Sequence, residues 1–247
     1  MLKFEMNFKI DEFNNWMVLA KKSGSELMLS NDEGEWIDIC QGHNWDQASQ
    51  QKLIDLVTSH FPPFSQSNKT LPKLFLKSPI NDQAIFFGGS FNPWHMGHRV
   101  SLDLCPGRPI VIVPDQNPWK NVQKRIRVWD YYLELANKLK NTDYSIYPGF
   151  LNLDRPNPTY DWLSALPLKK KSLLMGEDSF VQLLKWKDAQ KLVQMLDTIY
   201  VSPRAVDHSK IVETENELKK ISHRLKIVYL DHHDYEEISS TKIRSEN

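Results

Sequence analysis

The sequence predicts an α/β fold, in which a parallel sheet carries helices on both faces and follows a small N-terminal α+β extension. From residue 83 onward, short apolar segments alternate with longer segments of helical periodicity. The apolar segments are continuous, not alternating, which is typical of parallel strands buried on both faces. A stretch rich in Pro, Ser and Asn at 61–68 separates this region from the residues before it. We therefore expect two units, 1–80 and 81–247.

The first unit, 1–80, carries no motif that indicates a function, so its role stays open. Within it, apolar residues near a 3.6-residue spacing predict a helix over 46–61. The residues that follow, 62–79, are interpreted as the linker because prolines and small polar residues break regular structure.

The second unit, 81–247, contains the predicted sheet. We expect strands at 84–87, 110–113, 144–147, 172–175, 198–201 and 226–230. We expect helices at 124–139, 179–184, 189–196 and 213–225. Ligands of such folds bind beyond the carboxyl ends of the strands, so the loops after strands are where functional motifs are expected.

Composition excludes several classes of protein. The 247 residues carry 31 Lys and Arg against 31 Asp and Glu, so bulk positive charge for coating nucleic acid is absent. No run approaches the roughly 18 apolar residues of a membrane helix, and the first residues lack the apolar core of a signal peptide. Two cysteines without metal-like spacing suit a reducing compartment. We expect a cytoplasmic protein, with a homo-oligomer left open.

A glycine-rich loop follows the first predicted strand of the second unit. Gly88 and Gly89 allow a ligand to approach the backbone closely and permit positive φ. His95 and His98 are three residues apart, so at the start of a helix they share one face and can donate hydrogen bonds to phosphate oxygens. A turn with incidental histidines is the plainer interpretation. A metal site is less favoured because no third ligand lies nearby in the sequence.

A second polar motif occurs near the end of the sequence, at 238–244. Ser239, Ser240 and Thr241 precede a predicted helix start, where hydroxyl side chains commonly cap the helix. Capping alone does not explain Arg244, which follows Thr241 by three residues and would share its face. Hydroxyls, free N–H groups and a guanidinium together suit a polyphosphate.

The string GGSFNPWHMGH at 88–98 resembles the nucleotide-binding loop of the HxGH nucleotidyltransferases, and ISSTKIR at 238–244 resembles their second signature. Both are most similar to bacterial nicotinate/nicotinamide mononucleotide adenylyltransferases. The resemblance covers roughly 83–244, with similar segments at 113–120, 153–160 and 175–180. It implies a Rossmann-like sheet and an enzyme of NAD biosynthesis that joins ATP to nicotinate mononucleotide, giving deamido-NAD and pyrophosphate.

The resemblance also implies the roles of individual residues. Mg²⁺ is expected through the ATP phosphates, with no protein metal ligands. Asp178 is expected to accept ribose hydroxyls or, in a simpler interpretation, to cap a helix. The expected catalytic residues are His95, His98, Lys120 and Arg244; the ATP-binding residues are Gly88, Gly89, Ser90, Phe91, His95, His98, Gly176, Asp178, Ile238, Ser239, Ser240, Thr241 and Arg244; the acceptor-binding residues are Thr159, Tyr160, Asp161 and Trp186.

The acceptor stays the most open of these expectations. Tyr160 and Trp186 are equally explained by core packing and by contact with a pyridine ring. Asp161 stands where many acid-specific relatives carry Thr, so it could favour nicotinamide mononucleotide, or it could face solvent or cap a helix. A different acceptor such as phosphopantetheine is also open, and so is a nucleotide-binding regulator without turnover. A short first helix broken by Pro106 and Gly107 departs from the family pattern and motivates the regulator.

Overall fold

The computed structural model describes residues 82–114, 142–147, 156–166 and 168–246, the positions 135, 138 and 139, and three short strands before residue 40. These strands are β1 (Trp16–Met17), β2 (Met28–Asn31) and β3 (Trp36–Asp38), which form an antiparallel sheet in the order β1-β2-β3. The predicted helix over 46–61 and the linker over 62–79 lie outside the described residues, and the division at residue 80 stays a prediction.

The second sheet has six parallel strands. In chain order they are β4 (Gln83–Gly89), β5 (Ile110–Pro114), β6 (Ser145–Ile146), β7 (Lys170–Gly176), β8 (Thr198–Ser202) and β9 (Lys226–Tyr229). Their spatial order is β6-β5-β4-β7-β8-β9. All six predicted strands are confirmed. The chain order reverses direction between β4 and β7, which makes the carboxyl ends of those strands the expected ligand crevice.

The strands form because their apolar runs are covered on both faces. All five residues of β5 are buried, and so are five consecutive residues of β7. Phe86 at the centre of β4 is fully buried and meets the Trp162 ring edge to face at 5.3 Å. Truncating such an aromatic side chain to Ala costs about 3–5 kcal/mol. The predicted Rossmann-like α/β class is confirmed.

Six helices with described bounds connect or follow these strands, and the described positions 135, 138 and 139 are also helical. They are α1 (Met96–Leu104), α2 (Thr159–Ala165), α3 (Glu177–Phe180), α4 (Ala189–Met195), α5 (His208–Ile221) and α6 (Ser240–Glu246). Helix α1 ends before Pro106, as the sequence indicates, and α4 confirms the prediction at 189–196. The predicted helix over 124–139 lies mostly outside the described residues.

Two helix predictions are wrong in their bounds. The segment predicted as helix 179–184 divides into α3 and a 3₁₀ turn at Leu183–Lys185, because backbone N–H groups from residue 182 onward bond carbonyls three residues back. The helix predicted at 213–225 is α5, which begins five residues earlier. Asp207 starts it by accepting a hydrogen bond from the Ser209 backbone N–H at 2.9 Å.

Candidate active site

The glycine-rich loop lies at the carboxyl end of β4, beside the reversal of strand order. Phe91, not a glycine, takes the positive φ of the loop, at 45°. Gly88 and Gly89 permit a positive φ but do not adopt one. A Cβ on Gly88 would meet no atom of the described residues within 4 Å, which leaves space for a ligand beside them, whereas a Cβ on Gly89 would lie 3.1 Å from the Phe91 ring. The neighbouring Ser90 is half-buried.

The two loop histidines stack on each other at the start of α1. Their ring centroids are 3.7 Å apart with planes inclined by 26°. His98 accepts a hydrogen bond at Nδ1 from the His95 backbone N–H at 3.3 Å and packs edge-on against Phe91. The His95 side chain is buried, and neither of its ring nitrogens has a hydrogen-bond partner among the described residues. An unpaired buried polar group costs about 1–3 kcal/mol, which is tolerated where a ligand completes it.

His95 is uncharged at neutral pH. Burial, reinforced by the nearby Arg204 guanidinium, lowers the pKa of His95 from 6.5 to about 4. A neutral imidazole has one N–H donor and one acceptor nitrogen. The free loop therefore presents a neutral ring with one hydrogen-bond donor to a ligand.

The C-terminal motif docks onto this loop. Ser240 donates a hydrogen bond from Oγ to the Pro93 carbonyl oxygen at 2.9 Å. Arg244 donates one from its guanidinium to the Asn92 carbonyl oxygen and a second to Thr241 Oγ1 at 3.1 Å. The predicted shared face of Thr241 and Arg244 is confirmed by the second bond. Two motifs about 150 residues apart thus form one surface at the carboxyl edge of the sheet.

Helix α6 is also capped by a serine, so the simpler interpretation holds in part. Ser239 Oγ accepts a hydrogen bond from the Lys242 backbone N–H at 3.1 Å. Capping accounts for Ser239 only. Ser240 and Arg244 point to the loop instead, which leaves Thr241 exposed at the same edge.

Arg204 is a candidate site residue that the sequence interpretation missed. It follows β8 and donates a hydrogen bond from its guanidinium to the Ile238 carbonyl oxygen at 2.8 Å, while its backbone N–H bonds the buried Glu177 carboxylate at 2.7 Å. Two glycines make room for it: a Cβ on Gly97 would lie 2.9 Å from its Nη1, and a Cβ on Gly176 3.2 Å from its Nε. The signal was the position of a lone arginine just beyond a strand end.

The turn after β7 lies against the same arginine. Gly176 occupies the N-cap of α3, so the interpretation in which Asp178 caps this helix is wrong. Asp178 is exposed in the first turn, and a Cβ on Gly176 would lie only 2.5 Å from its Oδ1. A side chain at position 176 would therefore displace the Asp178 carboxylate and crowd Arg204.

The predicted acceptor residues lie on two adjacent helix starts. Pro158 is the N-cap of α2, so Asp161 does not cap it; the Asp161 carboxylate instead accepts a hydrogen bond from Lys187 Nζ at 2.8 Å. The Lys191 ammonium lies 5.6 Å from the Tyr160 ring centroid. Tyr160 and Trp186 are both half-buried against the core, and Thr159 begins the helix. The expected Lys120 lies outside the described residues.

A family model described as cytidylyltransferase-like matches residues 86–246. The chain belongs to this family. The match begins in β4 and ends in α6, so it includes both motifs and every described site residue. The predicted membership in a nucleotidyltransferase family is confirmed.

Three curated relatives carry the name "Probable nicotinate-nucleotide adenylyltransferase". The protein of Leptospira interrogans is 32% identical over 48% of this chain and 65% of its own length. That of Aquifex aeolicus is 29% identical over 58% of this chain and 83% of its own length. That of Flavobacterium johnsoniae is 29% identical over 64% of this chain and 82% of its own length. The chain thus spans slightly less than two thirds of the Leptospira relative.

The described residues contain no group of three His, Cys, Asp or Glu side chains arranged to hold a metal ion. The histidines at 232 and 233 take hydrogen bonds nearby: His232 Nδ1 pairs with Glu236 at 2.7 Å, and His233 Nδ1 accepts from the Tyr235 N–H at 3.1 Å.

No helix in the described part of the chain is long and apolar enough to cross a membrane.

Proposed function

We propose that this protein transfers the adenylyl group of ATP to nicotinate mononucleotide, giving deamido-NAD and pyrophosphate. The observation that carries this proposal is the docking of the C-terminal motif on the glycine-rich loop beside a buried histidine without hydrogen-bond partners among the described residues. The shared name of the curated relatives supports the choice of reaction and acceptor.

In the proposed reaction, an oxygen of the acceptor phosphate attacks the α-phosphorus of ATP. The new P–O bond forms as the bond from the α-phosphorus to the bridging oxygen breaks, and pyrophosphate leaves with that electron pair. Negative charge shifts onto the leaving and equatorial oxygens. The protein contributes position and electrostatic stabilisation and needs no covalent intermediate.

Each side chain has a defined part in this scheme. His95 donates its ring N–H to a phosphate oxygen, which ends the unpaired state of that nitrogen. His98 accepts a hydrogen bond from the His95 backbone N–H, and this bond fixes the orientation of the two stacked rings. The remaining N–H groups of Arg244, and Lys120 from the segment after β5, supply positive charge to the polyphosphate.

The donors around this loop are imidazoles and guanidinium groups, which suit phosphate oxygens and not a hard cation. Mg²⁺ would therefore be held mainly by ATP phosphate oxygens and would neutralise the pyrophosphate group. Gly176 and Asp178 are assigned to adenosine, with the exposed carboxylate accepting from ribose hydroxyls. Tyr160 and Trp186 are assigned to the pyridine ring, whose positive charge favours an aromatic face.

A product analysis tests the proposal. The protein is incubated with ATP and Mg²⁺ in three separate reactions, which contain nicotinate mononucleotide, nicotinamide mononucleotide or phosphopantetheine as the acceptor. Pyrophosphate and the adenylylated product are then quantified by chromatography. We expect equimolar pyrophosphate and deamido-NAD with the nicotinate acceptor. Product from phosphopantetheine alone, or ATP binding without turnover, would reject the assignment.

A further inference from the structure

The starts of α2 and α4 lie side by side at the edge of the sheet where ligand is expected. Each helix leads into a strand of the parallel sheet, so each begins at the carboxyl edge. Trp162 places α2 over β4 through its contact with Phe86, and α2 also contacts α4. This position borders the reversal of strand order between β4 and β7.

One ion pair joins these two helix starts. Lys187, in the turn just before α4, donates from Nζ to Asp161 Oδ2 at 2.8 Å. The lysine side chain is 56% exposed and the aspartate 39%, so a ligand in the crevice can reach both. The hydrogen bond with Asp161 raises the pKa of Lys187 above its ordinary value, at which the ammonium is already charged at neutral pH.

The ion pair changes the effect that the negative charge of Asp161 has on the ring substituent of the acceptor. An unpaired carboxylate at this place would repel a negatively charged ring substituent and accept from an amide. In this protein the Lys187 ammonium, which is hydrogen-bonded to Asp161, compensates the negative charge of the carboxylate. An ammonium has three N–H donors, of which Asp161 receives one. The remaining donors suit a carboxylate on the ligand.

We propose that Lys187, set in place by Asp161, is the residue that makes this protein prefer an acceptor whose ring carries a carboxylate over one that carries an amide. The inference rests on the proposed function. It adds a specificity residue directly after Trp186, which the proposed function assigns to the pyridine ring. Tyr160 and Trp186 accommodate the ring, and the lysine discriminates its substituent.

The test measures kcat/KM for nicotinate mononucleotide and for nicotinamide mononucleotide in four variants: Lys187→Gln, Asp161→Asn, the double variant, and Lys185→Gln as a matched control. Lys185 is an exposed lysine two residues earlier, at the end of the 3₁₀ turn that precedes Trp186. Calorimetric Kd values for both acceptors accompany the rates, so that selectivity is read even in a variant that turns over slowly.

We expect Lys187→Gln to lower the acid-to-amide ratio of kcat/KM about tenfold, which corresponds to about 1.4 kcal/mol. Asp161→Asn should raise the ratio, the double variant should fall between the two, and Lys185→Gln should leave it unchanged. Because the pair is exposed, added salt should reduce the wild-type ratio. Ratios within twofold of wild type in both single variants would overturn the inference, and so would equal losses with both acceptors. Absence of product from either acceptor in the wild type would instead reject the proposed function, with the Kd ratio left to decide the inference.

Discussion

Arg244 in the last helix donates a hydrogen bond to the carbonyl oxygen of Asn92 in the loop after β4. Ser240 makes a parallel contact to Pro93, and Arg204 holds the residue that begins the motif, Ile238. The C-terminal segment is therefore attached at three points to the edge of the sheet where the histidines lie. Each attachment can be removed by one substitution.

Replacing Arg244 with Ala should raise the KM for ATP about tenfold. A guanidinium near the polyphosphate and one bond that fixes the loop are both lost, and charge-assisted contacts are the stronger ones. Steady-state kinetics with varied ATP measures the effect. Arg224→Ala is the matched control, because this exposed arginine follows α5 at the opposite, amino edge of the sheet. An unchanged KM for ATP in Arg244→Ala would show that the C-terminal motif does not bind ATP and only caps a helix.

Replacing His95 or His98 with Ala should leave a folded protein with kcat lower by about 10²–10³. Loss of one preorganised donor to developing charge typically costs roughly 2.7–4 kcal/mol. Turnover and circular dichroism are measured together, with His223→Ala as the control because His223 is exposed at the amino edge. Near-normal turnover in both variants would show that the histidines do not act on the phosphates. Unfolding of the variants would show that the histidines have a structural role instead.

Acidification should destabilise the wild type more than His95→Gln. The pKa of His95 is about 4 when folded against an ordinary value of 6.5, so between these values the unfolded chain binds more protons. The contribution of His95 to the free energy of unfolding is therefore complete above about pH 6.5 and declines as the pH falls towards 4. At pH 5 the loss is about 2 kcal/mol. Urea unfolding at pH 7 and pH 5 gives the difference between the two proteins, and equal pH dependence would contradict it.

Arg204→Lys should loosen the C-terminal motif without removing positive charge. Lysine cannot reproduce the guanidinium bond to Ile238 while filling the space between Gly97 and Gly176. Hydrogen exchange of the amides at 238–244 should accelerate, and the KM for ATP should rise severalfold. Unaltered exchange together with a raised KM would show that Arg204 acts on ATP directly and not by positioning the motif.

A chain that begins at Ile80 should retain ATP binding. Both motifs and every described site residue lie beyond that position, and the stretch at 61–68 has the composition of a boundary. Calorimetry with ATP, compared with the full chain, measures this. A folded shortened chain without ATP binding would show that residues 1–80 complete the site.

The strands and the motifs were predictable from the sequence because both depend on local signals. Continuous apolar runs identified the strands, and the spacing of His95 to His98 and of Thr241 to Arg244 identified shared faces. The start of α5 was missed because its signal is a single capping aspartate, Asp207, and not an apolar repeat.

Contacts between distant segments could not be predicted in the same way. Nothing in the sequence indicates that Arg204 bonds Ile238, or that Lys187 pairs with Asp161, since each pair forms only when the sheet is assembled. The positive φ of Phe91 could not be predicted either, because the nearby glycines adopt positive φ values more readily than a phenylalanine does.

The most direct test is the rate at which ATP and nicotinate mononucleotide yield pyrophosphate and deamido-NAD, in the wild type and in a variant that carries both His95→Ala and Arg244→Ala. If the loop and the C-terminal motif form one phosphate site, the wild type forms the two products in equal amounts and the double variant forms almost none while it stays folded. No pyrophosphate from the wild type, or wild-type rates in the folded double variant, would contradict the account.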